Sequence, residues 1–287
     1  MWSIGIYTGN SPYALSPAAQ ISNPVLTAAS VTDIPAAFVA DPFMIRVNPW
    51  LMFFEVLRRD TNIGEIGLAT SDDGYDWTYK QIVLREEFHL SYPYVFEWQN
   101  TIYMIPETLG ANAVCLYEAD EFPTRWSRRA KLFEGQCADP SIVRYNDLWW
   151  LFLCSTPYQH DTLRLYFSEE LTGPWREHPR SPLIRADMRR ARPAGRVLTL
   201  NDKLIRFAQD CVPRYGSRVR AFDIFELTTT SYTEVENPRS PVLQPTGSGW
   251  NAHGMHHVDA QQQRDGSWLA CVDGFNVIAD CRLPIAN

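Results

Sequence analysis

Short apolar and aromatic runs alternate with polar turns along the whole chain, and they return at a nearly constant interval. Runs of about 4–8 such residues between turn signals predict β-strands. Polar turns that close with an aromatic residue recur at Trp77, Trp126 and Trp175, with steps of 49 residues between them. Four predicted strands in each unit of about 50 residues are typical of a β-propeller blade.

A polar residue followed by proline opens most of these units. The dipeptides are Asp41-Pro42, Tyr92-Pro93, Asp139-Pro140 and, with a looser fit, Arg192-Pro193, while His253-Gly254 opens the fifth unit. The first strand of each blade lines the central channel of a propeller. We therefore expect these five starting residues to ring one mouth of the channel.

The fifth unit is incomplete at the C-terminal end, and the N-terminal segment resembles the missing part. Residues 4–8 resemble the third-strand segment 66–70, and residues 23–26 resemble the fourth-strand segment 240–243. The sequence thus predicts an all-β, five-bladed propeller of four-stranded blades that is closed by its N-terminal segment, which removes an open sheet edge. A generic β-sandwich with chance similarity is the alternative.

We predict a single propeller domain over residues 1–275. The predicted blades are 37–84, 90–133, 137–184, 190–243, and 253–275 combined with 2–26, and they leave 276–287 as a tail or linker.

Composition narrows the function classes. The chain has 287 residues, 45% hydrophobic and 13% aromatic, and a net charge of −7, which disfavours a phosphate-binding nucleic-acid protein. No apolar run approaches the length of a membrane span, and the start lacks a signal-peptide pattern, so we expect a cytoplasmic protein. The six cysteines form no CxxC pair, which favours buried free thiols over a zinc site or disulfides.

Carboxylates are concentrated at the predicted mouth. The second strand of a blade runs back beside the first, so Glu55 and Glu107, which end second strands, are expected near Asp41 and Asp139. Glycoside cleavage needs one carboxyl group as acid and a second as base or nucleophile. A third carboxylate raises the pKa of the acid by repulsion. Asp41, Glu107 and Asp139 match this set.

These motifs resemble two related groups of propellers. The Asp41-Pro42 and Asp139-Pro140 pairs with a separate glutamate resemble the glycoside hydrolase clan of arabinanases, xylosidases and invertases. A closer resemblance is to the N-terminal propeller domain of plant glucosamine inositolphosphorylceramide transferases and its bacterial relatives. It is carried by three short motifs: Gln209-Asp210-Cys211, Tyr215-Gly216 and Gly254-Met255-His256-His257.

The resemblance implies a carbohydrate-active enzyme that hydrolyses or transfers a glycosyl group. We expect Asp41 as base or nucleophile, Glu107 as acid with Glu55 as its competitor, and Asp139 as the group that adjusts the pKa of the acid. In the clan the acid begins an inner strand of a later blade, where this chain has Tyr92, Arg192 or His253. The residues expected to bind substrate are Glu55, Tyr92, Arg192, Arg196, Asp210, His253 and His256.

Several alternatives stay open at this point. In one interpretation Arg192 and Arg196 bind an anionic group of the ligand, such as a phosphate or a uronate. In the other they neutralise the ring of carboxylates at the mouth. The domain is an enzyme, a non-catalytic module that binds glycans or nucleotide sugars, or a scaffold whose mouth binds protein.

The partners follow from the same resemblance. No cofactor is expected, although the channel leaves room for a Ca²⁺ ion or a water touching His253. The expected partners are a carbohydrate or glycoconjugate substrate and a fused or associated formyltransferase or glycosyltransferase, without nucleic acid or a membrane span.

Overall fold

The computed structural model describes residues 1–277, and these residues form five four-stranded antiparallel sheets. The strands of blade 1 are β3 (Ala36–Ile45), β4 (Trp50–Arg58), β5 (Gly64–Ser71) and β6 (Thr78–Leu84). Those of blade 2 are β7 (Ser91–Trp98), β8 (Thr101–Glu107), β9 (Ala113–Glu121) and β10 (Arg125–Glu134). Those of blade 3 are β11 (Ala138–Tyr145), β12 (Leu148–Cys154), β13 (Leu163–Ser168) and β14 (Arg176–Glu177).

The last two blades complete the ring. Blade 4 contains β15 (Leu198–Leu200), β16 (Lys203–Asp210), β17 (Arg218–Leu227) and β18 (Tyr232–Glu236). Blade 5 contains β19 (Val258–Gln262), β20 (Trp268–Phe275), β1 (Trp2–Ser11) and β2 (Ala14–Pro17). Helical structure within residues 1–277 is limited to three-residue 3-10 turns: Ala28–Ser30, Leu109–Ala111 and Gly249–Asn251.

The N-terminal strand closes the ring, as the sequence predicts. Strand β1 pairs with β20 from Trp2 opposite Phe275 to Gly9 opposite Trp268. Strand β20 therefore has a hydrogen-bonded neighbour on both sides, β19 and β1, so the edge that an open fifth blade would expose is covered. The five-bladed all-β fold is confirmed, and the sandwich alternative is wrong.

The fourth strands differ in position from the prediction. In blades 3, 4 and 5 the outer ladder lies earlier in the chain than the predicted segments 181–184, 240–243 and 23–26. Each predicted segment instead makes one isolated bridge, such as Leu163 to Ile184 and Val219 to Leu243. The physical reason is proline, which has no N–H to donate and stands inside all three segments.

The recurring tryptophans build the apolar layers between blades. Trp77 and Trp126 are buried, and the indole N–H of each donates to a carbonyl oxygen three residues earlier, at Gly74 and Pro123, over 3.0 Å in both cases. The polar turn and the core residue that follows it are thus one structural unit. This explains why the sequence repeats them together.

The predicted tail at 276–287 lies almost wholly outside the described residues and stays a prediction. Five cysteines are buried and free, as expected: Cys115, Cys137, Cys154, Cys211 and Cys271. Cys281 lies outside the described part of the chain. Among the described residues, no helix has the length and hydrophobicity needed to cross a bilayer.

Candidate active site at the propeller mouth

The x-Pro dipeptides form the same local structure in three blades. Asp41, Tyr92 and Asp139 have φ angles of 52°, 49° and 50°, a conformation that is uncommon for residues other than glycine. Each lies in a β-bulge, where two residues of the first strand oppose a single residue of the second strand. Proline fits a bulge because its missing N–H has no ladder partner there. The residue before each proline thus has no ladder partner, and all three side chains are buried.

Asp139 and Glu107 lie in an ion-pair network around Arg192. The guanidinium Nε donates to Asp139 Oδ2 over 2.5 Å, and Nη2 lies 3.4 Å from Glu107 Oε2. Gln209 Nε2 donates to the same Asp139 oxygen over 2.7 Å. Glu107 Oε2 also accepts the backbone N–H of Asp139 over 3.1 Å, so the second strand of blade 2 holds the entry of blade 3.

The remaining donors of Arg192 are also occupied. Nη1 donates to the carbonyl oxygen of Pro157 over 3.0 Å and bonds His160 Nδ1 over 2.9 Å. Because the arginine must donate, Nδ1 of His160 accepts, which leaves the proton of a neutral ring on Nε2. This geometry favours neutralisation of the carboxylates by Arg192 over capture of an external anion.

Glu107 has the pKa of a group that exchanges a proton near neutrality. Its exposed fraction is 7%, and burial raises its pKa to about 7 against the opposing effect of Arg192. Repulsion by Asp139 acts in the same direction as burial.

A second cluster forms around Asp41, from blades 1 and 5. Asp273 Oδ2 accepts the backbone N–H of Asp41 over 3.2 Å, and Asp273 Oδ1 accepts the N–H groups of His256 and His257 over 3.0 Å each. His256 Nδ1 lies 2.7 Å from Asp273 Oδ2, at an angle poor for a hydrogen bond, and its Nε2 lies 3.6 Å from Asp41 Oδ1. His256 is thus placed between the two carboxyl groups.

The two aspartates of this cluster have opposite proton affinities. Burial raises the pKa of Asp41 well above its usual range, and Asp139 and Glu55 add repulsion. Burial acts in the same direction on Asp273, but its interactions with His256 prevail and lower the pKa of Asp273. Asp41 therefore holds its proton more tightly than Asp273 does.

His257 presents an unpaired nitrogen to the same cluster. Its Nε2 donates to the carbonyl oxygen of Pro42 over 2.9 Å, and burial lowers its pKa to about 4, so Nδ1 bears a lone pair. This buried Nδ1 has no hydrogen-bond partner and lies 3.8 Å from Asp41 Oδ1.

Within residues 1–277, one group of side chains is spaced closely enough to hold a metal cation, and it consists of Asp41, His256 and Asp273. One ligand atom from each lies within 4.8 Å of the others. However, both oxygens of Asp273 already accept backbone N–H groups. The set fits a metal poorly, and we route no chemistry through one.

Glu55 is paired with a histidine that the repeat pattern does not reveal. His89 Nδ1 accepts the N–H of Gly64 over 3.0 Å, so Nε2 carries the proton that faces Glu55 Oε1 at 3.2 Å. The side chain of His89 is 39% exposed. Burial acts to lower its pKa, but Glu55 and Glu107 raise it overall.

Other predicted site residues lie in structural contacts. Tyr92 is fully buried, and its hydroxyl accepts the N–H of Gly195 over 2.6 Å and bonds Ser141 over 2.7 Å, which links blades 2, 3 and 4. Asp210 accepts two bonds from Arg220, over 2.9 and 2.7 Å.

Two more predicted binding residues have their partners outside the clusters around Arg192 and Asp41. Arg196 pairs with Asp259 over 2.7 Å. His253 bonds Asn276 beyond the end of β20, because blade 5 begins its paired strand five residues later, at Val258. His256 lies two residues before this first paired residue, and it rather than His253 is the histidine next to Asp41.

Tyr215 covers the mouth and is another residue that strand patterns do not reveal. Its ring lies 5.0 Å from that of His160 and 5.2 Å from that of His256, and the Arg192 guanidinium lies 5.1 Å from it. The residue is nonetheless 39% exposed. It is a partly exposed aromatic ring that contacts a member of each cluster, Arg192 and His256.

Comparison with known proteins agrees with this architecture. Residues 1–275 match the family described as "Glucosamine inositolphosphorylceramide transferase 1, N-terminal". Proteins named glucosamine inositolphosphorylceramide transferase 1 are similar over 96% of this chain, with 37% identity in Oryza sativa subsp. japonica and 34% in Arabidopsis thaliana. The chain spans only 40% and 39% of their lengths.

Solved structures share the fold at low sequence identity. An exo-β-1,3-galactanase from Clostridium thermocellum is similar with a TM-score of 0.60 and 15% identity, over 73% of this chain and 51% of that one. A family 117 glycoside hydrolase from Zobellia galactanivorans gives 0.52 and 15%, over 82% and 83%. The resemblance inferred from the Asp-Pro and Gly-Met-His-His motifs is confirmed, and the chain belongs to the family of glucosamine inositolphosphorylceramide transferase 1 N-terminal domains.

Proposed function

We propose that the domain hydrolyses or transfers a glycosyl group at the propeller mouth, with Glu107 as general acid and Asp41 as the carboxyl group that faces the anomeric carbon. The observation that carries the proposal is the Glu107 carboxyl, which is buried beside the Asp139–Arg192 ion pair with a pKa of about 7. The names of the similar proteins support a substrate that contains carbohydrate.

Glu107 has the property that an acid needs in this chemistry. A glycoside leaving group takes a proton from a carboxyl group that is still protonated near neutral pH. Burial provides such a pKa, while Asp139 holds Arg192 in place and adds repulsion. Asp139 then acts on the pKa of Glu107 without touching the substrate.

Because burial raises the pKa of Asp41, its role as base or nucleophile is helped by a nearby proton acceptor, and we assign that role to His256. With Nδ1 turned toward the Asp273 carboxylate, the Nε2 of His256 faces Asp41 at 3.6 Å and can accept its proton. In this proposal the proton moves from Asp41 Oδ1 to His256 Nε2. Asp41 is then negative beside the developing positive charge of the sugar ring.

Turnover of aryl glycosides tests the assignment. Pyranosides and furanosides are offered to the wild type and to Glu107→Gln and Asp41→Asn, and release of the phenol is measured. We expect turnover to fall by at least about 100-fold in both variants, with sugar binding retained. Glu97→Gln and Asp72→Asn are matched controls, because both positions are exposed, and should keep full turnover.

The pH profile gives a second test. A general acid works only while protonated, so the rate should fall as the pH rises through about 7, the pKa of Glu107. Replacement by Gln should remove this limb together with the activity. Turnover that both variants retain would overturn the acid–base assignment.

A binding module is the second candidate, and one observation favours it. The entry position of blade 4 holds Arg192, whose donors are all used within the protein, rather than a carboxyl group. Under this alternative, calorimetry detects sugar binding in the wild type and in Glu107→Gln without turnover in either. The exposed ring of Tyr215 would then carry the binding, and Tyr215→Ala should abolish it.

The remaining expectations stay proposals. The curated relatives are more than twice as long as the matched region, which supports a fused or associated transferase as partner. We propose a carbohydrate or glycoconjugate as substrate. The cytoplasmic location and the absence of a resident cofactor, with at most a Ca²⁺ ion or water in the channel, stay predictions from the sequence.

A further inference from the structure

A cleft beside the mouth has the features of a second ligand site. It has a volume of about 480 Å³ and lies where the start of β1 faces blade 1. Its mostly apolar lining includes Trp2, Trp250 and Pro24, together with Ala36 and the side chain of Arg59. Met1 also lines the cleft, and its α-amino group donates to the carbonyl oxygen of Asn276. The size and the combination of aromatic rings with charged groups are typical of small-ligand sites.

Trp250 lies on a floor that only glycine can provide. A Cβ at Gly5 would lie 2.6 Å from its indole ring, and one at Gly274 would lie 2.5 Å from it. The two glycines come from neighbouring strands, β1 and β20, so the flat backbone of blade 5 supports the ring. Trp250 is half-buried and lines the cleft. A rigidly held indole of this kind is a platform for a sugar ring.

Trp2 connects the cleft to the mouth. Its ring stacks on that of His256, with centroids 4.0 Å apart and planes at 20°. His256 in turn lies 3.6 Å from Asp41. A ligand against Trp2 is therefore separated from Asp41 by the two stacked rings.

Arg59 supplies a charge that no carboxylate neutralises. Its Nη2 donates to the carbonyl oxygen of Ala36 over 3.1 Å, and no carboxylate within residues 1–277 lies within 4.0 Å of it. The preceding residue differs, because Arg58 is paired with Asp60 and Glu65. A guanidinium that is anchored at one nitrogen and exposed at the others suits an anionic oxygen group.

We propose that this cleft binds a sugar ring that carries an anionic group, a phosphate or a carboxylate. The ring stacks on Trp250, and the anion pairs with Arg59. The inference deepens the proposed function, since it makes the cleft a specificity site for part of the same substrate. The site is distinct from the carboxylate clusters, so it can be tested separately.

Calorimetry with defined sugars tests the site. Glucose 6-phosphate, glucuronate, glucose and inorganic phosphate are titrated into the wild-type chain at low and at physiological salt. We expect at least one anionic sugar to bind at least 10-fold more tightly than glucose or inorganic phosphate. The comparison of phosphate with carboxylate identifies the anion.

Two variants locate the binding. Arg59→Gln should remove the preference for the anionic sugar but keep the affinity for glucose, while Trp250→Ala should weaken every sugar by at least 10-fold. Arg264→Gln and Trp175→Phe are the matched controls, and thermal unfolding verifies that each variant is folded. Should Trp250→Ala not fold, Trp250→Phe provides the same comparison with a smaller ring.

The outcomes separate this inference from the proposed function. Equal affinity for glucose and both anionic sugars, or a preference that Arg59→Gln retains, overturns the cleft site. Binding of inorganic phosphate as tight as that of the sugar phosphate overturns the sugar platform. Anionic-sugar binding that persists in Glu107→Gln, with no turnover in the wild type, overturns the acid–base proposal but supports the cleft.

Discussion

The two Asp-Pro entries of this propeller have the same backbone and opposite electrostatics. Asp41 and Asp139 share a positive φ and a bulge, and each donates its N–H to a carboxylate at the end of a second strand of the preceding blade. Those carboxylates are Asp273 for Asp41 and Glu107 for Asp139. The difference lies in the partner, because Asp139 faces the permanently charged guanidinium of Arg192 while Asp41 faces two imidazoles.

The comparison shows that the sequence repeat sets the position of each carboxyl group, whereas the side chains around it set its pKa. Beside the imidazole of His256, the capping carboxylate Asp273 has a lowered pKa, while Asp41 has a raised one. Beside Arg192, the capping carboxylate Glu107 has a pKa near 7 because burial outweighs the cation. Equivalent positions in a repeat can thus supply a proton donor in one blade and a fixed anion in another.

The largest expected effect on stability comes from removing the guanidinium group of Arg192. Arg192→Met leaves Asp139 and Glu107 buried without their partner and should lower the free energy of unfolding by about 3–5 kcal/mol. Urea unfolding at pH 7 measures it, with the exposed Arg264→Met as control. Asp139→Asn should also destabilise, since it leaves Arg192 partly unpaired. Equal unfolding midpoints for wild type and Arg192→Met would contradict the network.

The second effect is a pH dependence from Glu107. Its pKa is about 7 in the folded chain against a usual 4.5, so the folded state binds the proton more tightly. The resulting stabilisation is complete below about 4.5 and is lost as the pH rises through about 7. Relative to Glu107→Gln, the wild type should lose about 2–3 kcal/mol over this range.

Unfolding at pH 4.5, 6 and 8 measures this difference. Relative to Asp41→Asn, the wild type should likewise lose stability as the pH rises, because burial also raises the pKa of Asp41. A constant difference between the wild type and Glu107→Gln across the range would contradict the raised pKa.

The smallest expected effect on stability comes from the partly exposed His89. His89 is 39% exposed and its pKa is raised, so its pairing with Glu55 stabilises the fold below about pH 6.5 and weakens as the pH rises through the folded pKa. We expect His89→Gln to cost at most about 1 kcal/mol at pH 6 and nothing at pH 9. The same substitution in a Glu55→Gln background is the control, where the pH-dependent cost should vanish.

The parts of the site that the sequence predicted belong to the repeat. Asp41 and Asp139 precede proline at strand entries, and Glu107 ends a second strand, so the strand pattern alone placed them at one mouth. His89, His160 and Tyr215 lie in connections between strands, whose length and course differ from blade to blade. No periodicity marks such residues, and only the Tyr215-Gly216 motif drew attention to one of them.

The sequence by itself determined the number of blades, the closure by the N-terminal strand and the Asp-Pro strand entries that place Asp41 and Asp139 at one mouth. It could do so because strand alternation, proline and the turn tryptophans act over a few residues each. The tertiary structure alone decided which carboxyl group keeps its proton and which is paired. That depends on burial and on partners such as Arg192 and His256, which come from the neighbouring blade, far away in sequence, and leave no trace in local spacing.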